Sequence, residues 1–414
     1  MTVPAALPSV LLPLAWSAAR SFLGLHQRRQ WPKRGLSSTH VRCAHRFGIN
    51  CRARSHTGAA LSTASQPVLG LQHLMQYAIA AIIFSTASAM ARTVTPGSGP
   101  VLVTGASGLV GANVANALRQ EGYTVRAAVR DPTAKKNEFL RAMGCELVRV
   151  PDLLSDEGWA DAMAGCVGLA HVASPVDISG NTPEEKMISQ AVEGTERALR
   201  FAAEAGTVKR VVVTATMASI CGSQREKNPD HLWSELDKND APQTGYSKGK
   251  TAAEAKAWEL AAQHSDKYDV TTVHPAVVLG PLLPGQRASS TMLLLKQILD
   301  GAVVPSMFGL CSTTDVAAVH VKGLLEASTA GERYLVCSRD QYSTLDIAEL
   351  LKEHAPDQST GVDLAKWRAD DKVGALKPKK PSTDNAKACA LLGVADLEAA
   401  SVFVAAAAKA LADA

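Results

Sequence analysis

Apolar and polar residues alternate along the chain with two different periods from residue 101 onward. Continuous Val-rich runs predict buried strands, and apolar residues spaced three or four positions apart predict amphipathic helices between them. Strands are predicted at 101–103, 123–129, 146–150, 167–172, 210–214 and 269–274, and helices at 109–120, 133–143, 157–164, 184–205 and 245–263. Apolar strands that alternate with helices are typical of a parallel sheet covered on both faces. The predicted fold class is therefore α/β, with a doubly wound parallel sheet.

This regular alternation weakens after Gly280. Helices are predicted at 291–299, 315–326, 345–354, 385–392 and 398–412, with short strands near Val303 and Tyr334. We therefore interpret residues 101–281 as one domain and residues 282–414 as a smaller α/β part packed on it. Residues 93–100 (TVTPGSGP) are rich in Pro, Gly and Ser, which predicts a linker before the fold.

Charge is distributed unevenly between the first hundred residues and the remainder. Residues 1–100 contain ten Lys or Arg and no acid, and the first acidic residue is Glu121. Of the 43 basic residues, 33 therefore remain in residues 101–414 against 39 acidic ones, a net charge of about −6. This negative balance argues against a nucleic-acid partner for the folded part.

The first 92 residues have the composition of a transit peptide, rich in Arg and Ser and free of acids, and we expect them to be disordered. The apolar run 77–84 is shorter than the ~20 residues that span a bilayer. It is either a signal-like segment cleaved after Ala91 or, as we prefer, part of one long transit peptide. We expect a plastid location, with the mitochondrion as the alternative, and no membrane span in the mature domain.

The six cysteines beyond the leader are scattered, without a Cys-x-x-Cys pair. This spacing fits neither a zinc site nor a disulfide framework, so we predict no metal and a reducing compartment.

A glycine-rich segment follows the first predicted strand and leads into a helix: Thr-Gly-Ala-Ser-Gly-Leu-Val-Gly at 104–111. Gly105 permits the tight turn, Gly108 lets the backbone approach a pyrophosphate, and Gly111 lets the helix pack against the sheet. The helix N-terminus then supplies amide groups to the phosphates. Residues 101–281 are thus predicted to be an NAD(P)-binding Rossmann domain, and 282–414 mainly a substrate-binding part.

The end of the second strand distinguishes between the two nicotinamide cofactors. Asp131 lies about 20 residues past Gly111, as expected for a carboxylate that binds the ribose 2′-hydroxyl of NAD. Arg130, Lys135 and Lys136 would instead bind the 2′-phosphate of NADP. Three cations against one acid favour NADP, although the two lysines also fit a solvated helix face.

Tyr246 and Lys250 are candidate catalytic residues because an i, i+4 pair shares one helix face. A lysine ammonium stabilises a phenolate, which would lower the pKa of Tyr246 and suit it to proton transfer to a carbonyl oxygen. Lys248, two residues after the tyrosine, lies on another face. Without other evidence, Tyr246 could simply cap the helix. The strand at 210–214 ends near Thr216 and Ser219, whose hydroxyls could hold a substrate carbonyl.

Several motifs in order resemble the extended short-chain dehydrogenase/reductase superfamily, and within it the dihydroflavonol 4-reductase, cinnamoyl-CoA reductase and aldehyde (methylglyoxal) reductase group. They are VTGASGLVG from Val103, AAVRDP from Ala127, GCVGLAHVASPV from Gly165, KRVVVTAT from Lys209, YSKGKTAAEAKAW from Tyr246 and HPAVVLGP from His274. The resemblance implies an NADPH-dependent reductase of a small carbonyl substrate, in which Tyr246 is the general acid, Lys250 assists it and Thr216 is the catalytic hydroxyl.

The resemblance also implies a set of cofactor-binding residues. Arg130 would bind the 2′-phosphate, Asp152 and Leu153 would lie near the adenine, and residues 173–175 would line the cofactor. The full set is Gly105, Ser107, Gly108, Leu109, Val110, Gly111, Arg130, Lys136, Asp152, Leu153, Val172, Ala173, Ser174, Lys250, Pro275, Val277 and Val278.

Departures from the pattern leave other functions open. Cys221 stands where flavonoid reductases carry an Asn that holds the flavonoid ring, and Thr314 replaces a common Arg. A nucleotide-sugar epimerase or dehydratase, or a hydroxysteroid-type dehydrogenase, would retain Tyr246 and Lys250. A non-catalytic NADPH-binding sensor or assembly factor usually loses this pair. The oligomeric state stays open.

Overall fold

Seven parallel strands form the central sheet of the part of the chain that the computed structural model describes, in the order β3-β2-β1-β4-β5-β6-β9. The described residues are 92–174, 182–221, 228, 230–288, 291–374, 376 and 380–413. The strands of the chain are β1 (Val101–Thr104), β2 (Val125–Val129), β3 (Glu146–Arg149), β4 (Gly168–His171), β5 (Arg210–Thr214), β6 (Asp269–Pro275), β7 (Val277–Leu279), β8 (Met307–Ser312), β9 (Arg333–Val336), β10 (Asp340–Ser343) and β11 (Lys380–Pro381). The predicted α/β class with a doubly wound parallel sheet is confirmed.

Helices cover both faces of this sheet. The helices of the described part of the chain are α1 (Leu109–Gln120), α2 (Glu138–Ala142), α3 (Trp159–Met163), α4 (Glu184–Ala205), α5 (Gly245–Gln263), α6 (Thr291–Leu299), α7 (Thr313–Leu325), α8 (Thr344–His354), α9 (Leu364–Ala369), α10 (Asp371–Gly374), α11 (Ala386–Leu392) and α12 (Ala400–Ala412). Successive strand residues point to opposite faces, so Val101 and Val103 join the core beneath α1 and α7, whereas Leu102 joins the core beneath α4 and α5. The sheet is therefore buried on both sides, which explains its unbroken apolar runs.

A second sheet forms beyond the central one, in the order β11-β10-β8-β7. β7 and β8 are parallel, and β10 is antiparallel to both β8 and β11. The strand predicted near Val303 is wrong by four residues, because β8 begins at Met307. The sequence pattern missed β7, β10, β11, α9 and α10, which have two to six residues each and are too short to show a period.

Residues 93–100, predicted as a linker, form no helix or strand but pack on the domain. Val94 is 2% exposed, and the Tyr123 hydroxyl donates to its carbonyl oxygen at 3.1 Å. Arg92 forms an ion pair of 2.8 Å with Asp269. Residues 1–91 of the predicted transit peptide 1–92, with its apolar run and cleavage site, lie outside the described residues, as does Pro175 of the predicted cofactor loop.

The described helices include none with the length and apolar character of a membrane span. The six cysteines in the described ranges are all buried, and none of them forms a disulfide. Within these same ranges, no three His, Cys, Asp or Glu side chains are grouped as a metal site would require.

Candidate active site

The glycine segment makes a tight loop between β1 and α1. Gly105 has φ of +66°, and a Cβ there would lie 2.9 Å from the amide nitrogen of Ala173. A Cβ on Gly111 would lie 2.2 Å from the carbonyl oxygen of Gly105. Gly108 is the N-cap of α1 and has no side-chain cap, so the first amides of the helix are available to a ligand. This cradle fits the pyrophosphate of a dinucleotide, and any larger side chain would fill it.

Thr104 and His171 form a hydrogen-bonded pair next to this loop, and the sequence analysis identified neither as a site residue. Thr104 Oγ1 accepts hydrogen bonds of 3.1 Å from the amides of Val172 and Ala173, and it lies 3.0 Å from His171 Nδ1. Because two amides already donate to this oxygen, its single proton goes to Nδ1, which leaves the proton of the neutral imidazole on Nε2. Burial, and next the charge of Lys250, lower the pKa of His171 to about 3. No spacing in the sequence signals this pair.

At the adenosine end, Arg130 follows β2 directly and lines the cleft. Asp131 does not line it. Its carboxylate accepts from the amide of Thr133 at 2.8 Å and from the Thr133 hydroxyl at 2.7 Å, and these bonds lower its pKa. The Asp131 carboxylate therefore stabilises the turn that follows β2. Lys136 is exposed on a short 3₁₀ helix and does not line the cleft, so the structure does not bring it to the other predicted cofactor residues.

The predicted catalytic pair lies at the start of α5. Thr244 caps this helix, accepting from the amide of Ser247 at 3.1 Å in a reciprocal capping box. Tyr246 and Lys250, one turn apart, both line the cleft. Lys248 instead donates to Glu184 at 2.6 Å on the exposed side. The local sequence thus sets both where the helix starts and which two side chains enter the cleft.

Burial governs the ionisation of this pair. Lys250 is 8% exposed, and its Nζ donates to the carbonyl oxygen of Thr214 at 2.6 Å. Burial lowers the pKa of Lys250 to about 8, against an opposing effect of Glu254. Burial also raises the pKa of Tyr246, which a hydrogen bond with Thr216 partly offsets. The expectation that Lys250 lowers the tyrosine pKa is not met: burial has the largest effect, the partial offset comes from Thr216, and the phenol stays protonated at neutral pH.

The two candidate hydroxyls, and that of Thr214 at the end of β5, have separate roles. Thr216 lines the cleft beside Tyr246, whose pKa its hydroxyl lowers, and caps the short turn 217–219, accepting from the amide of Ala218 at 3.3 Å. Ser219 is buried and donates to the carbonyl oxygen of Thr216 at 2.8 Å. The hydroxyl of Thr214 pairs with His320. The structure therefore favours Thr216 over Ser219 as the hydroxyl beside the phenol.

A single cleft of about 1950 Å³ joins these groups. All predicted catalytic and cofactor residues except Lys136 line it, including Pro275, Val277 and Val278 at the end of β6 and in β7. The sequence analysis also missed Gln286, which donates to the carbonyl oxygen of Gly108 at 3.0 Å. This bond connects the segment after β7 to the glycine loop. The rest of the lining includes the apolar side chains of Met217, Cys221, Trp233, Leu293, Met307 and Phe308, and the polar side chains of Asn228, His231, Gln297, Ser306, Gln341 and Ser382.

The sequence is similar to one protein family and to several reductases. Residues 101–337 match the NAD dependent epimerase/dehydratase family. The chain is 34% identical over 277 residues to a dihydroflavonol 4-reductase of Hordeum vulgare, covering 63% of this chain and 76% of that protein. It is 32% identical over 306 residues to cinnamoyl-CoA reductase 2 of Medicago truncatula, covering 71% and 87%.

Solved structures share the fold. The yeast methylglyoxal/isovaleraldehyde reductase complexed with NADPH superposes with a TM-score of 0.64 at 22% identity, covering 76% of this chain and 98% of that one. A vestitone reductase from alfalfa superposes with a TM-score of 0.60 at 22% identity, covering 76% and 98%.

Proposed function

The chain belongs to the NAD dependent epimerase/dehydratase family, and we propose that it is an NADPH-dependent reductase of aldehydes or ketones with an apolar body. The predicted assignment to the extended short-chain dehydrogenase/reductases is confirmed. The observation that carries the proposal is that Tyr246 and Thr216 line the cleft of the glycine loop together, with a buried Lys250 one helical turn from the tyrosine.

NADPH would be held by the residues that surround its phosphates. The glycine loop and the first amides of α1 would bind the pyrophosphate, and Arg130 would bind the 2′-phosphate. Asp131 is the residue that would bind the ribose 2′-hydroxyl of NAD. Its carboxylate is hydrogen-bonded to Thr133 and does not line the cleft, which supports NADPH over NADH. When bound, NADPH supplies the hydride.

The protein's own contribution to the reaction is to hold and deliver a proton. Because burial raises the pKa of Tyr246, its hydroxyl keeps its proton at neutral pH and can donate it to the substrate oxygen. Thr216 orients that hydroxyl and offers a second donor to the same oxygen. Lys250, charged below about pH 8, lies one turn away to stabilise the developing phenolate and to bind the ribose.

The apolar part of the cleft wall supports a hydrophobic carbonyl substrate. Cys221 and Trp233 are 2% and 5% exposed, and they pack with Met217 in one small apolar cluster that lines the cleft. Such a wall binds aromatic or aliphatic groups by removing their surface from water. The thiol of Cys221, in place of an amide, supports an aldehyde or simple ketone over a dihydroflavonol.

An epimerase or dehydratase acting on a nucleotide sugar is the second candidate, because the family match carries that name and a structural neighbour binds UDP-glucuronic acid and NAD. Purified residues 92–414 should be tested with NADPH against aldehydes, ketones and flavanonols, and with NAD against UDP-sugars. The proposal expects NADPH oxidation with at least one carbonyl compound and equimolar alcohol. Conversion of a UDP-sugar with no carbonyl reduction would overturn it.

We also propose that residues 1–92 direct the protein to plastids. The support is their Arg-rich, acid-free composition. A fluorescent protein fused behind residues 1–92 should accumulate in plastids. Accumulation in mitochondria would contradict the plastid assignment.

A further inference from the structure

A short series of hydrogen bonds links helix α7 to the catalytic lysine. His320 on α7 lies 2.7 Å from the carbonyl oxygen of Val316 through Nδ1, and 2.7 Å from the Thr214 hydroxyl through Nε2. The carbonyl oxygen of the same Thr214 accepts the 2.6 Å hydrogen bond from Lys250. Three elements, α7, β5 and α5, therefore meet at one residue at the end of β5.

The direction of each bond follows from what each atom can do. A carbonyl oxygen only accepts, so Nδ1 of His320 carries the proton that goes to Val316. His320 is fully buried, and burial lowers its pKa to about 4, so the imidazole is neutral and Nε2 is an acceptor. The Thr214 hydroxyl must then donate to Nε2, which fixes the side-chain rotamer of Thr214.

The peptide group between Thr214 and Ala215 is thereby held from two sides. The Ala215 amide donates to the carbonyl oxygen of Val273 on β6 at 2.8 Å, and the Thr214 side chain is held by His320. These two restraints fix the direction in which the Thr214 carbonyl points. A leucine could fill the space of His320 without needing a partner, whereas an imidazole is unfavourable there unless both nitrogens are bonded. Here both are.

We propose that His320 is a positioning residue: through Thr214 it fixes the carbonyl that holds the Lys250 ammonium in the cleft. The inference rests on the proposed function, in which Lys250 assists Tyr246. Losing the His320–Thr214 bond would let the carbonyl turn and weaken a hydrogen bond that favours the charged form of lysine.

The first test removes the Thr214 hydroxyl. Thr214→Val keeps the branched shape, and we expect kcat/KM to fall about 5- to 20-fold, because the carbonyl is no longer held in place and its hydrogen bond to the Lys250 ammonium weakens. The alkaline limb of the pH profile should move down by roughly half to one pH unit. Thr214→Ser, which retains the hydroxyl, should recover most of the activity. The other groups that act on or face Lys250, namely Tyr246, Glu254, His171 and His274, are unchanged in these variants.

Thr271→Val is the matched control. Thr271 is fully buried on β6, and its hydroxyl donates to the carbonyl oxygen of Thr329 at 2.6 Å. The variant should lose comparable thermal stability but keep both kcat/KM and the alkaline limb. If Thr214→Val behaves like Thr271→Val, with lowered stability and an unmoved limb, the proposal is wrong.

The second test replaces His320, the partner of Thr214 on α7. His320→Leu should reproduce the Thr214→Val phenotype, and His320→Gln, which retains an acceptor, should be milder. The double variant Thr214→Val/His320→Leu should lose no more activity than either single variant, because both remove one interaction. Fully additive losses would overturn the proposal. NADPH fluorescence titrations from pH 7 to 10 follow the ionisation of Lys250 without turnover. They therefore separate a failure of this inference from a failure of the proposed reductase activity.

Discussion

Lys250 donates a hydrogen bond of 2.6 Å to the backbone carbonyl oxygen of Thr214, so the last residue of β5 holds the ammonium group of α5. One turn earlier on the same helix, Tyr246 lines the cleft with Thr216, which lies two residues after Thr214 in the chain and lowers the pKa of the phenol. The end of one central strand therefore positions both members of the catalytic pair.

The pH dependence of the wild-type enzyme should show an alkaline limb near pH 8. The pKa of Lys250 is lowered to about 8 by burial, so the ammonium is present below this pH and is lost above it. The kcat/KM for carbonyl reduction should therefore fall as pH rises through 8, and Lys250→Arg, if active, should hold its rate to higher pH because a guanidinium stays charged. A profile that is flat to pH 9.5 in the wild type would contradict this role.

Arg130→Ala should separate NADPH from NADH. The 2′-phosphate loses a charge-assisted partner that is worth roughly 1.5–3 kcal/mol, so the KM for NADPH should rise about 10-fold or more while the KM for NADH changes little. Lys136→Ala is the control, because Lys136 is exposed and does not line the cleft. An equal rise of both KM values in Arg130→Ala would remove the 2′-phosphate assignment.

Gly111→Ala should disrupt the nucleotide loop. Its Cβ would lie 2.2 Å from the carbonyl oxygen of Gly105, so loop and helix must separate, at a cost of at least about 1–3 kcal/mol and much of the NADPH affinity. Gly194→Ala on α4 is the matched control, since the nearest atom to its Cβ is 3.6 Å away. There the substitution should leave stability unchanged or raise it by up to about 1 kcal/mol. Urea unfolding and NADPH titration measure both effects, and normal NADPH binding by Gly111→Ala would refute the close approach.

Stability should decrease as pH falls from about 6.5 to 5. Burial lowers the pKa values of His171, His274 and His320 to about 3, 4 and 4, so these groups stay neutral in the folded state. In the unfolded chain they bind protons below about pH 6.5, and proton uptake then favours unfolding. Urea unfolding at pH 7.5 and pH 5 should show the loss.

Variants at two histidines test whether buried histidines cause the loss of stability at low pH. His320→Gln should reduce the difference in unfolding free energy between pH 7.5 and 5, because one buried histidine is removed. His354→Gln, at the exposed end of α8, should leave the difference as in the wild type. Equal stability of the wild type at both pH values would show that the buried histidines are not what sets its acid sensitivity.

The sequence predicted the central sheet because its strands are buried on both faces and their apolar runs are unbroken. It predicted Tyr246, Lys250 and the glycine loop because spacing along one chain fixes a helix face and a turn. It did not predict His171, His320 or Gln286, whose partners lie 67, 106 and 178 residues away. Contacts of that range depend on how the sheet assembles, and no local pattern encodes them.

Two other differences have other causes, a local turn in one case and burial in the other. Lys136 appeared to complete a cationic cluster with Arg130, but the turn shaped by Asp131 and Thr133 leaves it exposed and away from the cleft. The spacing of Tyr246 and Lys250 suggested a lowered tyrosine pKa, but burial, which spacing does not reveal, raises it.

The most direct measurement of the central claim is the rate of carbonyl reduction by Tyr246→Phe with saturating NADPH. Removing the phenolic proton should lower kcat by about 10²- to 10⁴-fold, while the dissociation constant for NADPH stays within about twofold of the wild-type value. Tyr268→Phe, which removes a buried phenol that donates to Leu199 at 3.3 Å outside the cleft lining, should keep its kcat. An unchanged kcat in Tyr246→Phe would contradict the assignment of this residue as the proton donor.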